Sequence, residues 1–109
     1  MQFRTTTYLR EIIEHSKVEQ VVIFIYSNAC GSSTRLKKEF EKRMAEKSWC
    51  APVYLVTIQT EPALSQKIEE NFQIKHESPQ IIILNKGKVT YTEHHNNIKI
   101  DEFPKVAVI

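Results

Sequence analysis

Cysteine is scarce in this chain: 109 residues contain two, Cys30 and Cys50. That count excludes a stabilising disulfide framework and leaves reactivity or burial as the reason for each thiol, the pattern of a reducing compartment. A surplus of one charge is also missing, since fifteen Lys and Arg stand against thirteen Asp and Glu for a net charge of +2. A nucleic-acid surface needs a concentrated basic run. The cluster Lys37, Lys38, Lys42 and Arg43 has Glu39, Glu41 and Glu46 interleaved with it, which is the composition of a solvated helix face. Long apolar runs are absent too. The longest, Val21 to Tyr26, falls far short of the ~20 residues a membrane helix needs. The first fifteen positions carry Arg4, Arg10, Glu11 and Glu14 and so lack the apolar stretch of a signal peptide. The expectation is a cytoplasmic protein with no membrane and no nucleic-acid partner. No repeat, low-complexity tract or linker divides the chain, and its length holds one domain, residues 1–109.

What is present is an ordinary globular mixture, 41% hydrophobic and 26% charged, enough to bury a core. Tyr8, Leu9, Ile12 and Ile13 recur at helical spacing within Thr7–His15, with Thr5, Thr6 or Thr7 as cap. Gln20–Tyr26 is β-branched and aromatic without alternation, the mark of a central strand covered on both faces. A polar loop leads to Cys30 and a helix reaching about Ser48, with Ser33, Leu36, Phe40 and Met44 on one face. Val53–Ile58 reads as a second strand. Thr60 and Pro62 read as cap and first-turn proline of a helix through Phe72. Gln80–Leu84 and Val89–Glu93 flank the turn Asn85-Lys86-Gly87-Lys88, where Gly87 is free to take positive φ. A closing helix over Asn97–Phe103, stopped by Pro104, completes the order, with Val106–Ile109 left unplaced. The order α-β-α-β-α-β-β-α predicts an α/β fold: a mixed four-stranded sheet with helices on both faces, parallel crossovers among the first strands and an antiparallel last pair.

Cys30 is the residue that carries chemistry. It stands where a strand hands over to a helix, within the first turn, where unpaired N–H groups and the positive end of the helix dipole both favour a thiolate. Helix N-termini lower a cysteine pKa from about 8.5 to roughly 3.5–7.5, and the thiolate is the attacking species in thiol–disulfide exchange. A buried structural cysteine is the plain alternative, but Asn28, Gly31, Ser32 and Ser33 are small and polar neighbours. Ser33, three residues on, shares the sulfur's helix face. It can donate a hydrogen bond to the thiolate and cannot form a disulfide, though it also reads as a plain first-turn serine. Gly31 leaves the approach to the sulfur open. Cys50 lies beyond a helix of about 18 residues, roughly 27 Å long, whereas a disulfide needs α-carbons within about 7 Å. The two should not pair, and Cys50 reads as inert, beside Trp49 at the far end of the molecule.

Ser27-Asn28-Ala29-Cys30-Gly31-Ser32-Ser33 and Ser78-Pro79-Gln80 resemble the thioredoxin superfamily, in which a nucleophilic cysteine follows the first core strand and a cis-proline begins a later one. The closer resemblance is to the YtxJ-type monothiol bacilliredoxins. That family has a C-x-x-S site and a segment very like Lys75-His76-Glu77-Ser78-Pro79-Gln80, then an apolar strand and a Lys-Gly-Lys-like turn. The likeness spans nearly the whole chain and implies a thioredoxin-like fold. It further implies Cys30 and Ser33 as catalytic residues, with Asn28, Gly31, Ser78 and Pro79 on the substrate side. By itself Pro79 reads as a strand-opening proline with a trans bond; the resemblance implies cis. A cis bond would expose the backbone of Ser78 beside Cys30, where a substrate segment could add as a strand.

The expected reaction is monothiol exchange. Cys30 attacks a mixed disulfide between a client protein and a low-molecular-weight thiol, which the resemblance makes bacillithiol. The small thiol passes to Cys30, and a second thiol or a reductase regenerates it. The co-substrate is this thiol, and no permanently bound cofactor or metal is expected. His76, His94 and His95 lack the ligand spacing of a zinc site, and Cys30 to Arg35 is one residue short of the C-x5-R loop of tyrosine phosphatases. Two alternatives remain open at this level. Cys30-Gly31-Ser32-Ser33 differs by one residue from the Cys-Gly-Phe-Ser of monothiol glutaredoxins, which carry iron–sulfur clusters, although Thr92–Asn97 replaces their Gly-Gly-rich glutathione segment. A non-catalytic thioredoxin-like adaptor is the other.

Overall fold

A computed structural model describes residues 1–75, 77–94 and 98. The elements run α1 (Leu9–Val18), β1 (Val21–Tyr26), α2 (Gly31–Met44), β2 (Val53–Thr57), α3 (Pro62–Phe72), β3 (Gln80–Asn85) and β4 (Lys88–His94). The expected closing helix over Asn97–Phe103 and the segment Val106–Ile109 lie outside the described residues. The strands form one mixed sheet in the order β2-β1-β3-β4.

Every residue of β1 is buried, because the strand sits at the centre of the sheet with helices on each side. Val22, Phe24 and Tyr26 point to one face, where Leu36, Phe40 and Met44 of α2 cover them together with Trp49. Val21, Ile23 and Ile25 point to the other, where Leu9 and Ile12 of α1 and Leu64 and Ile68 of α3 complete the layer. The apolar run without alternation follows from this two-sided burial. At the edge, β4 alternates exposed and half-buried positions, as a strand with one solvated face does. On the opposite edge, the Arg4 N–H donates to Val53 O at 2.8 Å and Arg4 O accepts the Leu55 N–H at 2.9 Å. That bridge covers backbone groups an edge strand would otherwise leave open.

One topological expectation fails, and its failure builds the site. β1 and β2 are parallel across α2, as a helical crossover predicts. β3, however, runs antiparallel to β1 despite the helix before it, with Ile25 opposite Gln80 and Val21 opposite Leu84. After α3 the chain turns at Gln73, which takes a left-handed conformation at φ 53°, and Gln80 stands at the end of the sheet where β1 finishes. An antiparallel β3 therefore begins where β1 ends, beside the loop that carries Cys30.

Helix boundaries also differ from those the spacing suggests. Tyr8, not a threonine, is the N-cap of α1; Thr6 Oγ1 accepts the Tyr8 N–H at 3.2 Å and donates to Glu11 at 2.6 Å. Glu61, not Thr60, is the N-cap of α3, with Pro62 at its start; Thr60 Oγ1 donates back to Thr57 O at 3.4 Å. α2 stops at Met44 rather than near Ser48. Tighter turns replace it, Glu46 N–H to Arg43 O and Trp49 N–H to Glu46 O. They fold Trp49 back onto Phe40, ring centroids 6.0 Å apart, and its indole N–H donates to Ala51 O at 2.6 Å. Burying the indole with its donor satisfied outweighs another helical turn. The β3–β4 turn matches its reading, with Lys86 at φ 54° and Gly87 at φ 77°, the pair of positive φ values that a tight two-residue hairpin needs.

Candidate functional site

The end of β1 leads through Ser27, Asn28 and Ala29 to Cys30. Cys30 is the N-cap of α2, one residue before the helix proper, with extended backbone at φ −112° and ψ 122°. Its carbonyl accepts the Thr34 N–H and hydroxyl, each at 3.1 Å, so the residue is tied into the first turn. The side chain is half-buried. The thiol pKa lies below its ordinary value. The backbone N–H of Ser33, in the opening turn of α2, is the main cause; partial desolvation opposes it, and the Ser33 hydroxyl with the N–H and hydroxyl of Ser32 reinforce the lowering. These are groups that the start of a helix presents by construction, so the sulfur is activated without a neighbouring base.

Ser33 is fully buried. Its hydroxyl lies 3.1 Å from that of Ser78, which links the first turn of α2 to the loop before β3. Ser78 is half-buried and Pro79 buried, and the bond between them is cis. Gln80, almost fully buried at the start of β3, secures the same loop. Its amide donates to Lys75 O at 3.2 Å and accepts the Glu77 N–H at 3.4 Å. Gly31 is exposed, and a Cβ built on it would meet nothing within 4 Å. Asn28 is exposed as well; its backbone N–H donates to Gln59 Oε1 at 3.1 Å. Of the six residues singled out from the sequence, Ser33, in the helix turn that Cys30 caps, meets Ser78 directly, Pro79 follows Ser78 through the cis bond, and Asn28 and Gly31 are exposed on either side of Cys30 along the chain.

Residues 1–103 match the family described as monothiol bacilliredoxin BrxC. The chain belongs to that family. Solved structures with the same architecture include a protein with a thioredoxin fold, 22% identical over 93% of this chain and 89% of its own, with a TM-score of 0.78. A thioredoxin of Malassezia sympodialis is 13% identical over 99% and 92%, TM-score 0.78. A thioredoxin of Fasciola hepatica is 16% identical over 94% of both chains, TM-score 0.74. These likenesses establish a thioredoxin fold, and membership of the bacilliredoxin family supports a thiol redox function.

Within this bacilliredoxin the second cysteine stands apart. Cys50 is exposed and both thiols are free; α2, 14 residues and so about 21 Å long, lies between them, shorter than its periodicity suggests but long enough to keep the sulfurs apart. His94, exposed at the end of β4, is the one described member of the histidine group, since His76 and His95 lie outside the described residues. Among the described residues no helix is long and apolar enough to cross a membrane.

Two residues that bond to the loops of the site, Gln59 and Gln80, carry no role of their own in the sequence reading. Gln59 becomes legible only once the strands are paired. Parallel pairing of β1 with β2 sets their C-terminal ends side by side, and loops at that end of a parallel pair build sites in open α/β sheets.

Proposed function

We propose that this protein is a monothiol oxidoreductase of the cytoplasm that removes a low-molecular-weight thiol, of the bacillithiol type, from S-thiolated client proteins. The observation that carries the reading is one activated, half-exposed thiol at Cys30 with a serine, buried against Ser78, where a second thiol would stand. The Cys30 thiolate attacks the small thiol's sulfur in the mixed disulfide. The old S–S bond breaks, its electron pair leaves on the client cysteine, which is protonated as a free thiol, and a new disulfide joins Cys30 to the small thiol. Ser33 has no sulfur with which to displace that adduct. A second small thiol, as thiolate, attacks it and departs as the symmetric disulfide, or a reductase supplies the two electrons, and Cys30 is restored as thiolate. The backbone at Ser78 offers the client segment an edge to pair with beside Cys30, and open space at Gly31 and Asn28 admits the small thiol.

The test is to mix reduced protein with a bacillithiolated client and follow both by intact mass. Transfer of the bacillithiol mass to wild type, with none to Cys30→Ala and undiminished transfer to Cys50→Ala, is the expected result. A client that stays modified, or a Cys30→Ala variant that clears it as fast as wild type, defeats the proposal. Anaerobic reconstitution that yields a visible iron–sulfur chromophore without thiol transfer would move the assignment to a cluster carrier.

A further inference from the structure

The turn that delivers Cys30 to α2 has few means of holding its shape. Ser27 O accepts the Cys30 N–H at 3.2 Å and Ser27 Oγ accepts the Ala29 N–H at 3.3 Å. Both bonds are internal to four residues, three of which are small and two of which, Asn28 and Ala29, are exposed. As N-cap, the Cys30 side chain makes no capping bond to fix its own backbone. Besides the helix-side bonds of the Cys30 carbonyl to Thr34, Gln59 restrains the turn from a separate element. Its Oε1 accepts the Asn28 N–H at 3.1 Å and its Nε2 donates to Ser27 Oγ at 2.9 Å. One amide therefore grips two consecutive residues of the turn. It does so from a firm base, because the adjacent Ile58 N–H donates to Tyr26 O at 2.9 Å, directly before Ser27.

We propose that Gln59 is a positioning residue for the reacting thiol, a clasp that holds Ser27–Cys30 so that the sulfur faces the N–H groups opening α2. It touches no reacting atom; its action passes through Ser27 and Asn28. The choice of amide follows from the contacts. An acceptor and a donor are needed on one planar head, and leucine or alanine supplies neither. Glutamate can accept from Asn28 N–H and, if the Ser27 hydroxyl reverses, from Ser27 as well. It would keep the clasp but set a negative charge near the thiolate, which favours the neutral thiol. The inference rests on Cys30 being the reacting thiol. It is independent of which mixed disulfide Cys30 attacks, because its test uses no mixed disulfide.

The experiment follows the pH dependence of iodoacetamide alkylation of Cys30 in a Cys50→Ala background, for Gln59→Ala, Ser27→Ala, the double variant and Gln59→Glu. Gln59 is exposed, so its removal should leave thermal stability nearly unchanged. Gln59→Ala is expected to move the alkylation profile to higher pH and slow the reaction below its midpoint about three- to tenfold, the range spanned by loss of one ordinary hydrogen bond. Ser27→Ala should shift the profile in the same direction, and the double variant should show less than the sum, since the two act through one contact. Gln59→Glu should also shift upward, but with a shift that shrinks as salt is added. An unchanged profile in Gln59→Ala, or full additivity with Ser27→Ala, overturns the proposal. Loss of bacillithiol transfer with the alkylation results intact would overturn the proposed function alone.

Discussion

At the N-terminal end of α2 the buried group is a hydroxyl: Ser33, without exposed surface, bonded to Ser78 and facing a half-exposed thiol. At the other end the buried groups are rings and a thioether. Phe40 stacks 4.9 Å from Phe24 and meets Trp49 edge-on, while Met44 closes the layer. One helix thus divides its work along its length. The C-terminal half anchors it to β1 by apolar burial, which is strong and indifferent to direction. The N-terminal half presents N–H groups and small hydroxyls to a thiol whose pKa they lower. Cys50 makes the same contrast from outside, as an exposed thiol beyond the end where carbonyls, not N–H groups, go unpaired. If the division is real, substitutions at the two ends should affect different observables.

The largest effect is expected at the anchoring end. Phe40→Ala removes a fully buried ring and should cost about 3–5 kcal/mol in denaturant unfolding. In the protein that remains folded, the alkylation profile of Cys30 should match wild type; a displaced profile would show that the halves are not independent. Ser33→Ala should reverse the pattern. The lost bond leaves the Ser78 hydroxyl without that partner and should cost about 1 kcal/mol, whereas the Cys30 pKa should rise. The rise should be partial, because the Ser33 backbone N–H, the main lowering influence, is untouched. Ser33→Cys carries this further. It creates a C-x-x-C pair, so the introduced thiol should displace the adduct on Cys30, which should no longer accumulate in the intact-mass assay.

The fold's pH dependence separates the regions again. A thiol whose folded pKa is lowered contributes stability that is complete above the unfolded value of about 8.5 and is lost as pH falls through the folded one. The Tm difference between reduced wild type and Cys30→Ala should therefore grow with pH and level off above about 8.5. Tyr54 has the opposite sign. Burial raises its pKa, with Arg4 opposing and Glu11 and Glu19 adding to the rise, so the fold favours the neutral phenol. Its contribution should be retained below about pH 10 and lost as pH rises toward the folded value. Tyr54→Phe should flatten that alkaline decline and leave the Cys30 limb in place. A Tyr54→Phe variant that moves the Cys30 limb would refute the separation.

How much of this was legible depended on whether a feature is local. Val21–Tyr26 declares two-sided burial by its lack of alternation, and the strand-to-helix junction at Cys30 and Ser33 is readable in the same local way. Helix ends depart from the periodicity where a distant partner decides them, as where Trp49 folds onto Phe40 and α2 ends at Met44. The antiparallel entry of β3 could not be read from the helix before it, since a helix can return the chain to either end of a sheet. Gln59 looks like an ordinary surface glutamine in the sequence, and Gln80 stands in the Ser78-Pro79-Gln80 segment with no role of its own. Their roles arise only when strand ends converge, with Gln59 beside Ser27 and Gln80 opposite Ile25. What a strand-to-helix junction places is visible in the sequence; what meets only across the fold is not.

The smallest expected effect tests the open side of the site. Gly31 opens α2 and meets nothing within 4 Å where a Cβ would stand, so neither strain nor packing requires glycine there. Gly31→Ala should be neutral or stabilising, by up to about 1 kcal/mol through the reduced freedom of the unfolded chain. A methyl group beside Cys30 should still narrow the approach to the sulfur. A small symmetric disulfide should react at close to the wild-type rate, while a protein mixed disulfide, which must bring its own backbone alongside Ser78, should react a few-fold more slowly. Equal rates on both substrates would show that space at Gly31 plays no part in admitting the client. The polar end of α2 would then consist of Cys30, Ser33 and the backbone that joins them.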